Sequence, residues 1–129
     1  MAPRSVHTDN APKAQGPYSQ ALVHGGVVYC AGQIPLDPAT GKLVSGPIDV
    51  HTARVLKNLD AVLKEAGSDS SLVLRTTVFL ADITEFSAMN AAYEQHFGTA
   101  KPARSTVQAA ALPLGARIEI DCIAALRAE

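Results

Sequence analysis

Between Val50 and Ala66 the apolar residues Val55, Leu56, Leu59, Val62, Leu63 and Ala66 recur at helical spacing, which lays a single apolar stripe along one helix. Asp49 stands where a cap would open it, and Gly67 where a left-handed residue would close it. Phe86, Met89, Tyr93 and Phe97 repeat the spacing after Asp82-Ile83-Thr84-Glu85, which is in capping-box order, and before Gly98. Two helices are predicted, each apolar on one face only.

The other apolar runs are short and rich in strand formers. Tyr18–Val23 and Val27–Ala31 flank His24-Gly25-Gly26 and predict a hairpin. Pro35–Lys42 holds two prolines and Gly41, so it reads as a turn-bearing surface loop. Val73–Leu80 ends in Thr77-Val78-Phe79-Leu80, too apolar for a strand with one wet face, and a central place in the sheet is expected. Ala103–Ala111 and Arg117–Leu126 close the chain, reversed by Leu112-Pro113-Leu114-Gly115-Ala116. The predicted class is α+β, a sheet with both helices packed on one face. Two helices leave the other face bare, and a partner subunit is its natural cover.

No repeat, low-complexity tract or linker divides the 129 residues, so 1–129 reads as one domain with 1–16 as a loosely structured arm. The arm lacks the apolar core of a secretory signal and no window reaches the length of a membrane span. A soluble, cytoplasmic protein with no membrane partner is expected. Lys and Arg number 11 against 12 Asp and Glu, for a net charge of −1, and there is no Trp. Such a balance argues against a surface built to grip nucleic-acid phosphates or stack bases. Cys30 and Cys122 match neither a zinc knuckle nor a CxxC pair and read as free, buried thiols in preference to a disulfide, since no signal peptide points to an oxidising compartment. His7, His24, His51 and His96 are scattered without ligand spacing, and no metal is expected.

Candidate chemistry lies where the pattern breaks. Ile118, Ile120 and Cys122 face one way in the last strand, so Glu119 and Asp121 share the opposite face with Ile123 and Ala125. That face reads either as a solvated edge or as a cleft wall, where burial would raise the pKa of Glu119 and suit it to proton transfer. Arg104, just after Lys101-Pro102-Ala103, is a surface cation or a guanidinium set to fork a carboxylate. Asn90 falls on or beside the second helix's apolar stripe, to cap a loop carbonyl or to touch a ligand. Tyr18 follows Gly16-Pro17, a stiff turn from which its hydroxyl can reach a pocket.

Pro102-Ala103-Arg104-Ser105-Thr106-Val107 and Arg117-Ile118-Glu119-Ile120 resemble the C-terminal signature of the RidA (YjgF) family of reactive-intermediate deaminases. Asn10-Ala11-Pro12, Gly16-Pro17-Tyr18-Ser19-Gln20, Ala31-Gly32-Gln33-Ile34-Pro35 and Thr76–Asp82 leading to Asn90 resemble the same family in the same order, from about residue 7 to the end. The resemblance implies a chorismate-mutase-like α+β subunit in a homotrimer, with ligand clefts between subunits. It implies hydrolysis of 2-aminoacrylate-type enamines and their imines, small carboxylates, to a 2-oxo acid and ammonia, without a cofactor. Residue by residue, Arg104 would hold the substrate carboxylate and Glu119 would orient the attacking water and shuttle protons. Tyr18 and Asn90 would line the cleft, and the backbone at Gly32 and Thr106 would help hold substrate or water. Thr106 stands where many relatives carry Cys, and Asp121 where Glu is common. The family's older label, a single-strand endoribonuclease and translation inhibitor, is the second reading; a non-catalytic ligand sensor or chaperone is the third.

Overall fold

Helix α1 spans Ile48–Ala66 and helix α2 spans Phe86–Phe97 in the computed structural model, which describes residues 1–128. Pro47, not Asp49, occupies the cap of α1; Asp49 sits in the first turn, where its charge meets the positive end of the helix. Gly67 ends α1 at φ 95°, its N–H reaching the carbonyls of Leu63 and Lys64. Before α2, the Asp82 carboxylate accepts from the Thr84 N–H at 2.9 Å and caps a short 3₁₀ turn, Ile83–Glu85. Glu85 does not fold back to close a capping box, because it forms an ion pair with Arg117 instead.

Eight strands accompany the helices: β1 Arg4–Val6, β2 Ala21–His24, β3 Val27–Gln33, β4 Leu36–Asp37, β5 Lys42–Leu43, β6 Val73–Leu80, β7 Ala103–Gln108 and β8 Ile118–Ala125. Six of them form one mixed sheet in the order β1-β2-β3-β8-β6-β7, and β4 with β5 makes a small separate hairpin in the predicted surface loop. Among the described residues only the β6–β7 pair is parallel, α2 being the crossover. β6 is internal, as its apolar run requires. The Pro113–Gly115 turn reverses the chain, yet β7 and β8 do not pair, since β6 lies between them.

Both helices cover the face carrying Val28, Cys30, Val78, Ile118, Ile120 and Cys122, all buried. Leu22, Tyr29 and Val107 on the other face are 38%, 49% and 45% exposed. Cys30 and Cys122 are free thiols, directly opposed across β3 and β8. A hydrogen bond to Cys30 and burial push the Cys122 thiol far above its usual range, which keeps it protonated.

The arm is not loose throughout. β1 pairs with β2, and buried Gln20 clamps the segment after it. The Gln20 carboxamide accepts from the Thr8 N–H at 2.7 Å and donates to the carbonyls of Thr8 at 3.1 Å and Pro12 at 2.8 Å. Gln20→Ala strands these buried groups and is expected to cost about 2–3 kcal/mol. The readout is a lower denaturant midpoint together with faster amide exchange at Thr8.

Candidate functional site

A bulge in β3 starts the site. Cys30 faces Cys122 but Gln33 faces Ile120, so β3 fits one extra residue between them, and Gly32 lies in that irregular stretch. There the Glu119 carboxylate rests against the Gly32 backbone. A Cβ at residue 32 would stand 2.9 Å from the Glu119 carboxyl carbon and 3.1 Å from its Cγ. The glycine is needed for close approach, not for its backbone angles. Glu119 is half-buried and makes no hydrogen bond among the described residues. Burial, and secondarily the charge of Asp121, raise its pKa above the ordinary carboxylate value.

Around Glu119 opens a cavity of about 570 Å³ walled by Gly32, Tyr18, Ile34, Leu36, Pro113 and Leu114. Pro17 turns the chain so that the Tyr18 N–H bonds back to the Gly16 carbonyl at 2.8 Å, and the phenol accepts from the Gln15 N–H at 3.1 Å. Asn58 of α1 fixes the wall at Ile34–Leu36, donating to the Leu36 carbonyl at 2.9 Å. Lys13 also borders the cavity. A larger groove of about 770 Å³ runs along α1, and none of the candidate residues lines it.

Arg104, Thr106 and Asn90 are elsewhere. Arg104 on β7 is opposite Thr76 on β6, which is opposite Cys122 on β8. Glu119 is opposite Phe79, which is opposite Val107. Side chains alternate along a strand, so Arg104 and Thr106 project on the helix-covered face and Glu119 on the open one. With β6 between them, β7 and β8 run roughly 10 Å apart. A single chain thus brings Glu119, Gly32 and Tyr18 together, and separately gathers Arg104, Thr106 and Asn90 beside α2.

The second group is polar and unsatisfied. The Asn90 amide oxygen and the Thr106 hydroxyl are buried without a hydrogen-bond partner among the described residues. The Arg104 guanidinium lies over the rings of Tyr93, at 4.7 Å, and Phe86, at 5.5 Å. Among the described residues it has no ion pair. Strand periodicity located Glu119, but it carries no signal for this ring platform, for Lys13 or for Leu114, whose neighbourhoods are created by loops and by α2. Among the described residues no three His, Cys, Asp or Glu side chains converge as a metal site would need, and no helix is long and apolar enough to cross a membrane.

A small mixed sheet with a half-buried carboxylate against a glycine in a cleft has clear relatives. Residues 8–126 match the family model described as Endoribonuclease L-PSP. The human protein named 2-iminobutanoate/2-iminopropanoate deaminase is 47% identical over 121 residues, 94% of this chain and 88% of its own. Protein DfrA of Myxococcus xanthus is 49% identical over 126 residues, 96% of either chain. The crystal structure of YyfA, of the Rid protein family of Yersinia pestis, is similar at TM-score 0.94 and 48% identity, covering 97% of this chain and 100% of that one. The chain belongs to the L-PSP family, the RidA (YjgF) proteins, some of whose members are named imine deaminases.

Proposed function

We propose that the chain is a hydrolytic deaminase of reactive enamines and imines of the 2-aminoacrylate and 2-iminopropanoate type. The observation that carries this reading is Glu119, a carboxylate with a raised pKa, half-buried against Gly32 and without a hydrogen-bond partner among the described residues, in a cleft large enough for a small acid. Such a group is suited to hold a water and trade protons with it. The enamine first becomes an imine by gaining a proton at carbon and losing one at nitrogen. Water then adds to the C=N carbon while Glu119 takes a proton from it and the nitrogen gains one. Glu119 then returns its proton to the nitrogen, and as the C–N bond breaks and the C=O bond forms the hydroxyl gives up its proton to solvent, replacing the one the imine nitrogen took from solvent. One water is consumed and one ammonia is released with the 2-oxo acid.

Arg104 holds the substrate carboxylate in this reading, with Asn90 and the Thr106 and Gly32 backbones completing the pocket. Since one chain sends Arg104 and Glu119 to opposite faces of its sheet, the reading includes a second copy. The chain is a chorismate-mutase-like homotrimer, in which Glu119, Tyr18 and Gly32 of one subunit meet Arg104, Thr106 and Asn90 of the next. Leu22, Tyr29 and Val107, all exposed in one chain, support such an interface.

The test is release of 2-oxo acid from imine generated in place by a dehydratase or an amino-acid oxidase, alongside the mass in solution. Acceleration over buffer by a trimer is expected; no acceleration with several amino-acid-derived imines would end the enzyme reading and leave a ligand sensor. Gly32→Ala is expected to lower the rate about tenfold by displacing the Glu119 carboxylate, with folding intact by circular dichroism. The family model's description favours a second reading, RNA cleavage. A net charge of −1 weighs against it by limiting counterion release on RNA. Cleavage by highly purified protein, lost in Arg104→Ala or Glu119→Ala, would promote it.

A further inference from the structure

Arg104 is held by rings and not by charges. Its guanidinium lies 4.7 Å from the Tyr93 ring centre and 5.5 Å from that of Phe86, and no carboxylate or carbonyl among the described residues accepts from it. The rings come from one face of α2, seven residues apart. The Tyr93 ring is itself fixed. Its hydroxyl hydrogen-bonds the buried Thr76 hydroxyl at 2.7 Å, and its centre lies 4.7 Å from that of Phe97. Thr76 is also the register partner of Arg104 across the β6–β7 pair. The strand position next to Arg104 therefore fixes the ring on which Arg104 lies.

We infer that Phe86 and Tyr93, with Thr76 behind them, are positioning residues that orient Arg104 for two-point capture of a small carboxylate. This rests on the reading that Arg104 receives the substrate carboxylate. Aromatic faces attract the guanidinium through its π-surface and leave its N–H edges free. An ion pair would occupy those edges and compete with the ligand. The frame also freezes a long side chain before the ligand arrives, which removes part of the ordering cost of binding. It recognises the carboxylate common to 2-imino and 2-oxo acids and is indifferent to the rest of the substrate.

The probe is 2-oxobutanoate, titrated into the intact protein by calorimetry, with its uncharged methyl ester as control. Phe86→Leu is expected to weaken 2-oxobutanoate binding about five- to tenfold and to raise KM alike, while Phe86→Tyr stays within about twofold. Tyr93→Leu should act like Phe86→Leu, and Tyr93→Phe, which keeps the ring, should fall between it and wild type. Ester binding should not change in any of them. Equal loss for acid and ester would mean general damage to the pocket and overturn the inference. Unchanged acid binding in Phe86→Leu and Tyr93→Leu, with strong loss in Arg104→Ala, would overturn it and leave the proposed function standing. Unchanged acid binding in Arg104→Ala would overturn both.

Discussion

Glu119→Gln is expected to slow 2-oxo acid release by about 100- to 1000-fold while making the protein more resistant to heat at neutral pH. Both effects have one origin. Burial, helped by the charge of Asp121, raises the pKa of this carboxylate, so the folded chain binds its proton more readily than the unfolded chain does. The stability this contributes is complete below the unfolded carboxylate range and is lost as pH rises through the folded pKa. At neutral pH the ionised group is a cost to the fold, and Gln, of nearly the same shape, does not carry it. The gain in melting temperature of Glu119→Gln should therefore shrink as pH falls toward 4. The wild-type rate should fall on the acid side at a higher pH than an ordinary carboxylate would give, and Asp121→Asn should move that limb down. A Gln variant with near-normal rate would show that another group handles the water. A variant no more stable than wild type at neutral pH would show that Glu119 is not strained by its burial.

Much of this arrangement is legible in the chain, for reasons that differ by element. The stripe on α1 and the alternation in β8 are set by burial on one side, so they survive in a bare pattern of apolar and polar residues, whereas of the α2 stripe Met89 and Tyr93 are buried and Phe86 is exposed. The alternation also places Glu119 on the face away from the core, and the run in β6 marks an internal strand. β1 is not legible because Arg4-Ser5-Val6 is too short to show a period, and its order is imposed by β2 and the Gln20 clamp. The β3 bulge leaves only an Ala-Gly trace. Pairing order is the largest loss. Nothing local states that β6 separates β7 from β8, and that separation, together with side-chain parity, parts Arg104 from Glu119. Family resemblance names the six site residues but not how one chain divides them.

That division makes a sharper test than either variant alone. Arg104→Ala and Glu119→Gln should each be about 100-fold or more below wild type, the first because substrate loses its charged anchor, the second because water loses its proton carrier. Mixed in equal amounts, unfolded and refolded together, the two inactive chains should recover about one quarter of the wild-type rate. The number follows from the site. In the proposed trimer each cleft would take Glu119 from one subunit and Arg104 from its neighbour. Half of the clefts receive an intact Glu119, from the Arg104→Ala chain, and half of those receive an intact Arg104, from the Glu119→Gln chain. A site contained in one chain would give no recovery at any ratio, because every copy would lack one of the two groups. Such a site would need Arg104 to reach across β6 and through to the other face of the sheet, against the register of β6, β7 and β8. Recovery without trimer mass would fix the shared site but change the assembly, and the recovered fraction would still report that Glu119 and Arg104 act from different copies.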